Sequence, residues 1–395
     1  MKISEIFRVR ASLTVLVMFL GVATGARGQG SDGAVEMPAE YVSVADFTGT
    51  ANERIEAAMV AAAATDHKTV FFPNGTYALR GTVSLNRGPA TEIHLVGESR
   101  EGVLIIPDIP YLEANYNDGE GARLAHMINL SGRGPFESVD VSIHNMTLDM
   151  MHPLVREEPL PETYNVVGHG VRIGTGWREG QFTVNELTIR HVGSYGIGIQ
   201  DRGGHPKSNV TLTNIDISYT GSDAIDTKEG SGDGSRNLVI RNLKVKEIGF
   251  LDTGAAVGID VRYRDVVIED VHLVSEASRS RRPGQKSSNT GINFRPNGGV
   301  LEATVSGVTI EGFGAALTIH STEQVAHQNI SLSDFKIRGY RGVGIRVLGP
   351  RNSGHTISDG YVYSDRGRDL VLADQEVTVS NVTRGPWPEA ATPTR

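Results

Sequence analysis

An internal repeat constrains the fold of this chain more than any other feature. From residue 139 onward, a six-residue pattern recurs with apolar residues at positions one, four and six and usually Asn, Asp or Gly at position three. The instances begin at Ile143, Val184, Leu212, Ile240, Ile268, Val305, Leu332 and Ile357, and a partial repeat at 377–382 closes the array. Their third positions are separated by 41, 28, 28, 28, 37, 27 and 25 residues. The alternation predicts a strand, and the recurrence predicts one coil of a solenoid per repeat.

Each repeat also carries a second short apolar segment. These segments are 196–200, 224–228, 258–262, 291–295, 316–320 and 344–348, and the second residue of each is Ile or Leu. Such a column predicts a buried aliphatic stack. Two strands per coil of about 25 to 28 residues, with little helical periodicity, favour a parallel β-helix over a leucine-rich or helical repeat, whereas a propeller needs about 40 to 50 residues per blade.

The N-terminal residues 41–100 differ from the coils. An alanine-rich stretch at 53–64 predicts a helix, and 68–77 predicts a strand followed by a turn. Because a solenoid must cover its open end, we expect a capping helix and the first coils here.

The same region carries a resemblance to a known family. With VSVADF at 42–47, FFPNGTY at 71–77 and LVGE at 95–98, followed by the coils, the chain over 41–383 resembles the pectate-lyase-like superfamily. The resemblance implies an all-β fold, a single-stranded right-handed parallel β-helix with an N-terminal capping helix. It leaves the reaction open, because the superfamily includes lyases, hydrolases, epimerases and phage-type depolymerases.

Both chain ends predict segments outside the solenoid. In residues 1–26, three basic residues precede an apolar run over 13–20, and small residues follow. This is the pattern of a secretory signal peptide, since the run is far shorter than the roughly 20 residues of a membrane-spanning helix. We therefore expect a secreted protein, periplasmic or extracellular, with no transmembrane segment after cleavage. Residues 384–395 predict a flexible tail.

Composition and charge exclude several classes of function. The chain contains no Cys, so disulfide scaffolds, cysteine nucleophiles and zinc–cysteine sites are excluded. The formal net charge is −8 and no basic domain is visible, which argues against nucleic acid as a partner. Any catalysis must use oxygen and nitrogen groups.

A column of polar residues is expected on the outer face of the coils. Side chains alternate along a strand, and successive coils bring equivalent positions about 4.8 Å apart. In coil order, the column contains Arg172, Gly198 with Gln200, Asp226 with Lys228, Asp260 with Arg262, Asn293 with Arg295, and Thr318 with His320. Acids lie beside bases over adjacent coils, so this column is the candidate functional surface.

The densest local signal is GSDAIDTK at 221–228. A turn before Ala224 would let Asp223 and Asp226 reach one cation or sugar, and Asp260 is expected to stack on Asp226. These three carboxylates are the predicted ligands of a Ca²⁺ ion, which prefers oxygen donors. The segment is similar to the Asp-rich calcium segment followed by a lysine in some pectate lyases. Alternatively, the aspartates only cap turns and form ladders between coils.

A lyase acting on an acidic, uronic-acid-containing polysaccharide would explain the mixture of charges. β-Elimination needs neutralisation of the substrate carboxylate, a base for the C5 proton and help for the leaving oxygen. Lys228, Arg262 or Arg295 would be the base if neighbouring cations and partial burial lower its pKa, and the same cations would bind the carboxylate. The other predicted substrate-binding residues are Arg172, His169, Asn293 and His320.

Other functions remain open from the sequence. A glycoside hydrolase would use Asp226 and Asp260 as acid and base or nucleophile. The sequence is similar to polygalacturonases at 223–226 and 168–170, but that family places Gly-His-Gly after its aspartate pair, whereas His169 comes before. An epimerase shares the proton abstraction of a lyase. In a non-catalytic glycan-binding β-helix, the charged column would be only a salt-bridge ladder.

Overall fold

The computed structural model describes 40–85, 92–114, 124–130, 139–152, 166–174, 180–199, 208–228, 235–250, 256–275, 289–295, 300, 302–339, 343–363 and 371–385. The predicted signal peptide lies outside these residues. The predicted tail begins inside the last strand, which ends at Gly385, and the rest of the tail lies outside the described residues. Within the described ranges, no helix has the length and apolar character required to cross a membrane.

The N-terminal cap is built around one helix. A short strand β1 (Val42–Ser43) and a 3-10 turn (Val44–Asp46) lead into α1 (Ala51–Ala63). Thr50 and Glu53 form a capping box, in which each side chain accepts a hydrogen bond from the other residue's backbone N–H. Ile55 and Met59 are buried against the first coils. The predicted capping helix is therefore confirmed, beginning two residues earlier than the pattern indicated.

Nearly all strands belong to two sheets. Sheet A contains, in pairing order, β1, β2 (Thr69–Phe72), β5 (Glu92–Gly97), β8 (Asp140–Asp149), β10 (Gln181–Val192), β12 (Ser208–Thr220), β14 (Arg236–Lys246), β16 (Arg264–Val274), β18 (Ala303–Glu311), β21 (Ile330–Arg338), β24 (His355–Tyr363) and β26 (Val377–Gly385), with β3 (Gly75–Leu79) and β6 (Val103–Pro107) beside this path. Sheet B contains β4 (Val83–Ser84), β7 (Leu124–Asn129), β9 (Val166–Ile173), β11 (Ile197–Ile199), β13 (Ile225–Asp226), β15 (Val257–Val261), β17 (Thr290–Phe294), β19 (Ala315–His320), β22 (Ile345–Leu348) and β25 (Val371–Ala373).

The connections between the sheets define a parallel β-helix. From β8 onward, the chain alternates between sheets A and B, and every strand pair among the described residues is parallel. A third, two-stranded sheet of β20 (His327–Gln328) and β23 (Asn352–Ser353) and a short helix α2 (Ile109–Ala114) complete the described elements. The predicted fold class is confirmed; the small third sheet is an addition that the repeat did not predict.

The predicted aliphatic stack runs through sheet B. Its members are in direct register from coil to coil and are at most 1% exposed: Ile197, Ile225, Ile259, Ile292, Leu317 and Ile345. The stack fixes which residues of each strand point outward, because side chains alternate along a strand.

The third position of the repeat has a special backbone conformation. Its φ angle lies between 46° and 64° in the eight repeats and the closing partial repeat, at Asn145, Glu186, Asn214, Asn242, Asp270, Gly307, Asp334, Asp359 and Asn381. Asn, Asp and Gly enter this left-handed region most readily, which explains the composition of the position. The bend lets residues on both sides pack inward; Leu212, Ile215 and Ile217 are all buried.

Asn214 joins neighbouring coils through its side chain. Its Nδ2 donates to Asn185 Oδ1 at 2.9 Å, and its Oδ1 accepts from Asn242 Nδ2 at 2.7 Å. We expect Asn214→Ala to lower the free energy of unfolding by roughly 1 to 3 kcal/mol, because it loses both bonds and places Ala in the left-handed region. Asn214→Gly removes only the side-chain bonds and should cost less. Equal losses in urea unfolding would contradict the backbone part of this explanation.

Candidate functional site

The candidate site lies on the outer face of sheet B. Strand pairing places the following outward residues in one row across six coils: Arg172, Gly198, Asp226, Asp260, Asn293 and Thr318. The predicted polar column is therefore a real row of equivalent positions. Lys228, Arg262, Arg295 and His320 follow two residues later on their coils, and Gln200, at the same position, lies outside the described residues.

Three carboxylates meet in this row. One oxygen from each of Asp223, Asp226 and Asp260 lies within 4.8 Å of the other two. Asp226 and Asp260 are 0% exposed and Asp223 is 6% exposed. Asp223 stands in the turn before β13, and its Oδ1 accepts a hydrogen bond from the backbone N–H of Val257 at 2.7 Å. The turn thus brings Asp223 beside Asp226, as the sequence predicted.

Arginines neutralise two of these carboxylates. Arg262, itself only 5% exposed, donates through Nη1 to Asp226 Oδ1 at 2.8 Å, and its Nη2 lies 2.8 Å from Asp260 Oδ2. Arg295 Nε donates to Asp260 Oδ1 and Oδ2 at 2.8 and 3.0 Å, and Asn293 Nδ2 donates to Oδ1 at 3.3 Å. The cluster is therefore a buried, paired charge network of the kind that proteins require for ionised groups removed from water.

Burial raises the pKa values of two carboxyl groups in the cluster, those of Asp223 and Asp260. Burial raises the pKa of Asp223 well above its ordinary value, and the charges of Asp226 and Asp260 raise it further. Burial also raises the pKa of Asp260, although Arg262 and Arg295 oppose this rise. A carboxyl group with a raised pKa beside arginine-bound carboxylates resembles the pairing of an acid with a base in active sites.

Lys228 is the most accessible charge of the site. Its side chain is 51% exposed, and its Nζ lies 2.6 Å from Tyr195 Oη and 3.6 Å from Asp226 Oδ2. Burial acts to lower the pKa of Lys228, but the hydrogen bond to Tyr195 and the charge of Asp226 raise it overall. Lys228 is thus a cation at neutral pH, which suits carboxylate binding.

Arg295 is also a partly exposed cation whose pKa is raised by a buried aspartate. Its side chain is 37% exposed, and although burial acts to lower its pKa, Asp260 raises it overall. The lowered pKa on which the predicted base role of Lys228 or Arg295 depends is therefore not present at either residue. Both roles as base stay predictions, and the contacts favour the binding of an anion instead.

An aromatic stack that the sequence analysis missed adjoins Lys228. The Tyr195 ring stacks on His169, and His169 stacks on His126, with ring centroids 4.7 Å apart in both pairs. Gly198 makes room for this stack, because a Cβ there would lie only 3.0 Å from His169 Cδ2. Lys228 Nζ also lies 5.0 Å from the centroid of the Tyr195 ring, in cation–π range.

A positional signal for the stack exists in the sequence. His126, His169, Tyr195 and Asp223 each stand two residues before the inward aliphatic residue of a sheet B strand. The shared position in successive coils is thus a sequence signal for Tyr195 and His126. They form a second column beside the first.

The other predicted binding residues lie at different depths. His169 is buried inside the aromatic stack, and Asn293 is half-buried against Asp260. Arg172 is half-buried, with its Nη1 3.2 Å from His126 Nε2. His320 is exposed two coils beyond Arg262. The structure thus gathers the aspartates and their arginines closely, and leaves His320 at the margin.

The carboxylate cluster does not fit a calcium ion in this arrangement. Calcium takes six to eight oxygen ligands. Arg295 contacts both oxygens of Asp260, and Arg262 takes one oxygen each from Asp226 and Asp260. Asp226 Oδ2 is buried without a hydrogen-bond partner, and Lys228 Nζ lies 3.6 Å from it. The calcium ion stays a prediction that these contacts do not favour.

Comparison with known proteins defines the fold. No protein-family model and no curated protein sequence matches the chain. PfbA, a surface adhesin of Streptococcus pneumoniae, is similar in structure, with a TM-score of 0.53 and 14% identity over 87% of this chain and 91% of PfbA. The catalytic domain of a single-residue variant of a GH87 α-1,3-glucanase, in complex with nigerose, has a TM-score of 0.51 and 13% identity over 91% of this chain and 68% of that chain. These likenesses show the fold alone, and with the all-parallel sheets they confirm the predicted right-handed parallel β-helix.

Proposed function

We propose that this chain is a carbohydrate-active protein that binds and cleaves an acidic polysaccharide on the outer face of sheet B, as a lyase. The observation that carries the proposal is the layering of charge, in which buried aspartates hold cations that reach solvent. Lys228 and Arg295 are partly exposed, whereas Asp226 and Asp260 are fully buried. A face that offers fixed cations to solvent attracts an anionic polymer. Export, predicted from residues 1–26, would place the protein where such polymers occur.

The chemistry of β-elimination can be assigned to exposed side chains. Lys228 and Arg295 would bind the uronate carboxylate and stabilise the negative charge that develops when the C5 proton leaves. Tyr195 would transfer the protons. Burial raises the pKa of Tyr195, and the hydrogen bond from Lys228 opposes that rise. Because the pKa of Tyr195 is raised overall, the phenol is neutral, and it would act in one concerted step: it gives its proton to the leaving oxygen while its oxygen takes the C5 proton, so that it ends neutral as it began.

The test is direct. Purified protein is incubated with pectate, alginate and glycosaminoglycan chains, with calcium or with a chelator, and the ultraviolet absorbance of the unsaturated product is followed. We expect a rise in absorbance with at least one uronate polymer. Reducing ends that form without unsaturation would replace the lyase with a hydrolase, and binding without turnover would leave only a glycan-binding role.

Glycoside hydrolysis is the second candidate. It is favoured by the three carboxylates within 4.8 Å of one another, one of which, Asp223, has a pKa raised by burial. Carboxyl groups about 5 Å apart suit a retaining mechanism. The complete burial of Asp226 and Asp260 places this candidate second, because a hydrolase's carboxyl groups must reach the glycosidic bond.

A further inference from the structure

Arg262 is a buried cation held firmly between two coils. Its guanidinium joins Asp226 and Asp260 through two contacts of 2.8 Å. Its backbone N–H donates to Thr227 Oγ1 at 2.8 Å, and that hydroxyl donates to the backbone oxygen of Asp260 at 2.9 Å. The position of Arg262 is therefore fixed by its main chain as well as by its side chain.

We propose that Arg262 serves as the built-in counterion of the carboxylate cluster, so that the cluster needs no divalent cation. A fixed guanidinium matches the geometry of carboxylate oxygens and keeps its charge at any physiological pH. A metal ion at the same carboxylates would have to displace it and leave a buried arginine without its partners, which is strongly unfavourable. This inference does not depend on which reaction the protein catalyses.

Removal of the Arg262 guanidinium would leave the carboxylates of the cluster without their shared cation. In Arg262→Ala, Asp226 Oδ1 and Asp260 Oδ2 lose their shared donor, and Asp226 Oδ2 already lacks a hydrogen bond. Asp226 and Asp260 would then face the space that the guanidinium leaves, and one oxygen of Asp223 lies within 4.8 Å of an oxygen of each. Calcium, a cation with oxygen ligands, is suited to such a set. The substitution is therefore expected to create a calcium site that the native chain does not have.

The experiment compares thermal unfolding midpoints in EDTA and in millimolar calcium chloride, together with calcium binding by titration calorimetry. The native protein should show no calcium-dependent shift and no binding at the cluster. Arg262→Ala should unfold about 5 °C or more below the native protein in EDTA, because a buried ion pair is broken, and should regain at least half of that loss in calcium.

Two further variants keep the test decisive. Arg295→Ala leaves the Arg262 bridge in place, so it should lose stability without regaining it in calcium. Arg262→Lys keeps a cation, so it should fold and ignore calcium even if Arg262→Ala fails to fold. Calcium stabilisation of the native protein, or calcium binding by Arg262→Lys, would overturn the proposal. A folded Arg262→Ala variant that ignores calcium would overturn its second part.

Discussion

Lys228→Ala is expected to reduce the formation of unsaturated product at least about 100-fold, with the fold intact. The side chain is half exposed, so its loss should leave the coils folded. The substitution removes the cation beside Tyr195, and with it the proposed carboxylate ligand. Initial rates of the ultraviolet absorbance rise, with circular dichroism as a check on folding, measure both parts.

Tyr195→Phe separates the two roles at this position. It removes the hydroxyl, keeps the ring that stacks on His169, and should cause a comparable loss of rate. Tyr219→Phe is the matched control, because Tyr219 also stacks on a histidine, His191, but lies on a strand of sheet A. Full activity in Tyr195→Phe would disprove proton transfer by Tyr195, and full activity in Lys228→Ala would disprove the role of the cation.

Asp260→Ala is expected to lower the free energy of unfolding by about 3 to 5 kcal/mol. Asp260 is fully buried and forms ion pairs with two arginines. Its removal leaves the buried Arg262 with one carboxylate partner fewer and removes the carboxylate that Arg295 contacts. Urea unfolding followed by circular dichroism gives the magnitude.

Two variants calibrate that measurement. Asp66→Ala alters an exposed aspartate of the N-terminal cap and should change the stability by less than about 0.5 kcal/mol. Asp260→Asn keeps the size of the side chain and loses the charge, so it should fall between the other two. If Asp260→Ala costs no more than Asp66→Ala, the charge network does not stabilise the fold.

The coil architecture could be predicted from sequence because each coil repeats the same local requirements. The recurring aliphatic residue predicts the inward stack, and the register of the strands confirms it for Ile225, Ile259 and Ile292. The residue types at the third position, such as Asn242, indicate a bend, because few residue types adopt the left-handed backbone conformation found there. The small third sheet has no repeated signal, so it could not be predicted in this way.

The candidate site could be predicted in position but not in depth. Lys228 and Arg262 occupy equivalent places after their strands, yet one is half exposed and the other is buried. The difference arises from partners on neighbouring coils, because Arg262 reaches two carboxylates while Lys228 turns toward Tyr195. For the same reason the pKa of Lys228 is raised, whereas a lowering by neighbouring cations was the condition for its role as a base. The spacing of residues in the sequence predicts which face of a strand a side chain lies on. Its burial, its partners and the direction of its pKa shift depend on side chains of neighbouring coils, which the spacing does not give.

The bend at the third position recurs at a constant spacing, so several neighbouring coils have the same length. Glu186, Asn214, Asn242 and Asp270 follow one another at equal steps of 28 residues. Duplication of residues 187–214 would insert one more layer whose upper and lower surfaces match those already present, whereas a globular core would need repacking throughout. Each added layer would lengthen the outer face of sheet B by about 4.8 Å. The length of this face, and with it the stretch of polymer that the proposed site would cover, can thus change only by whole coils.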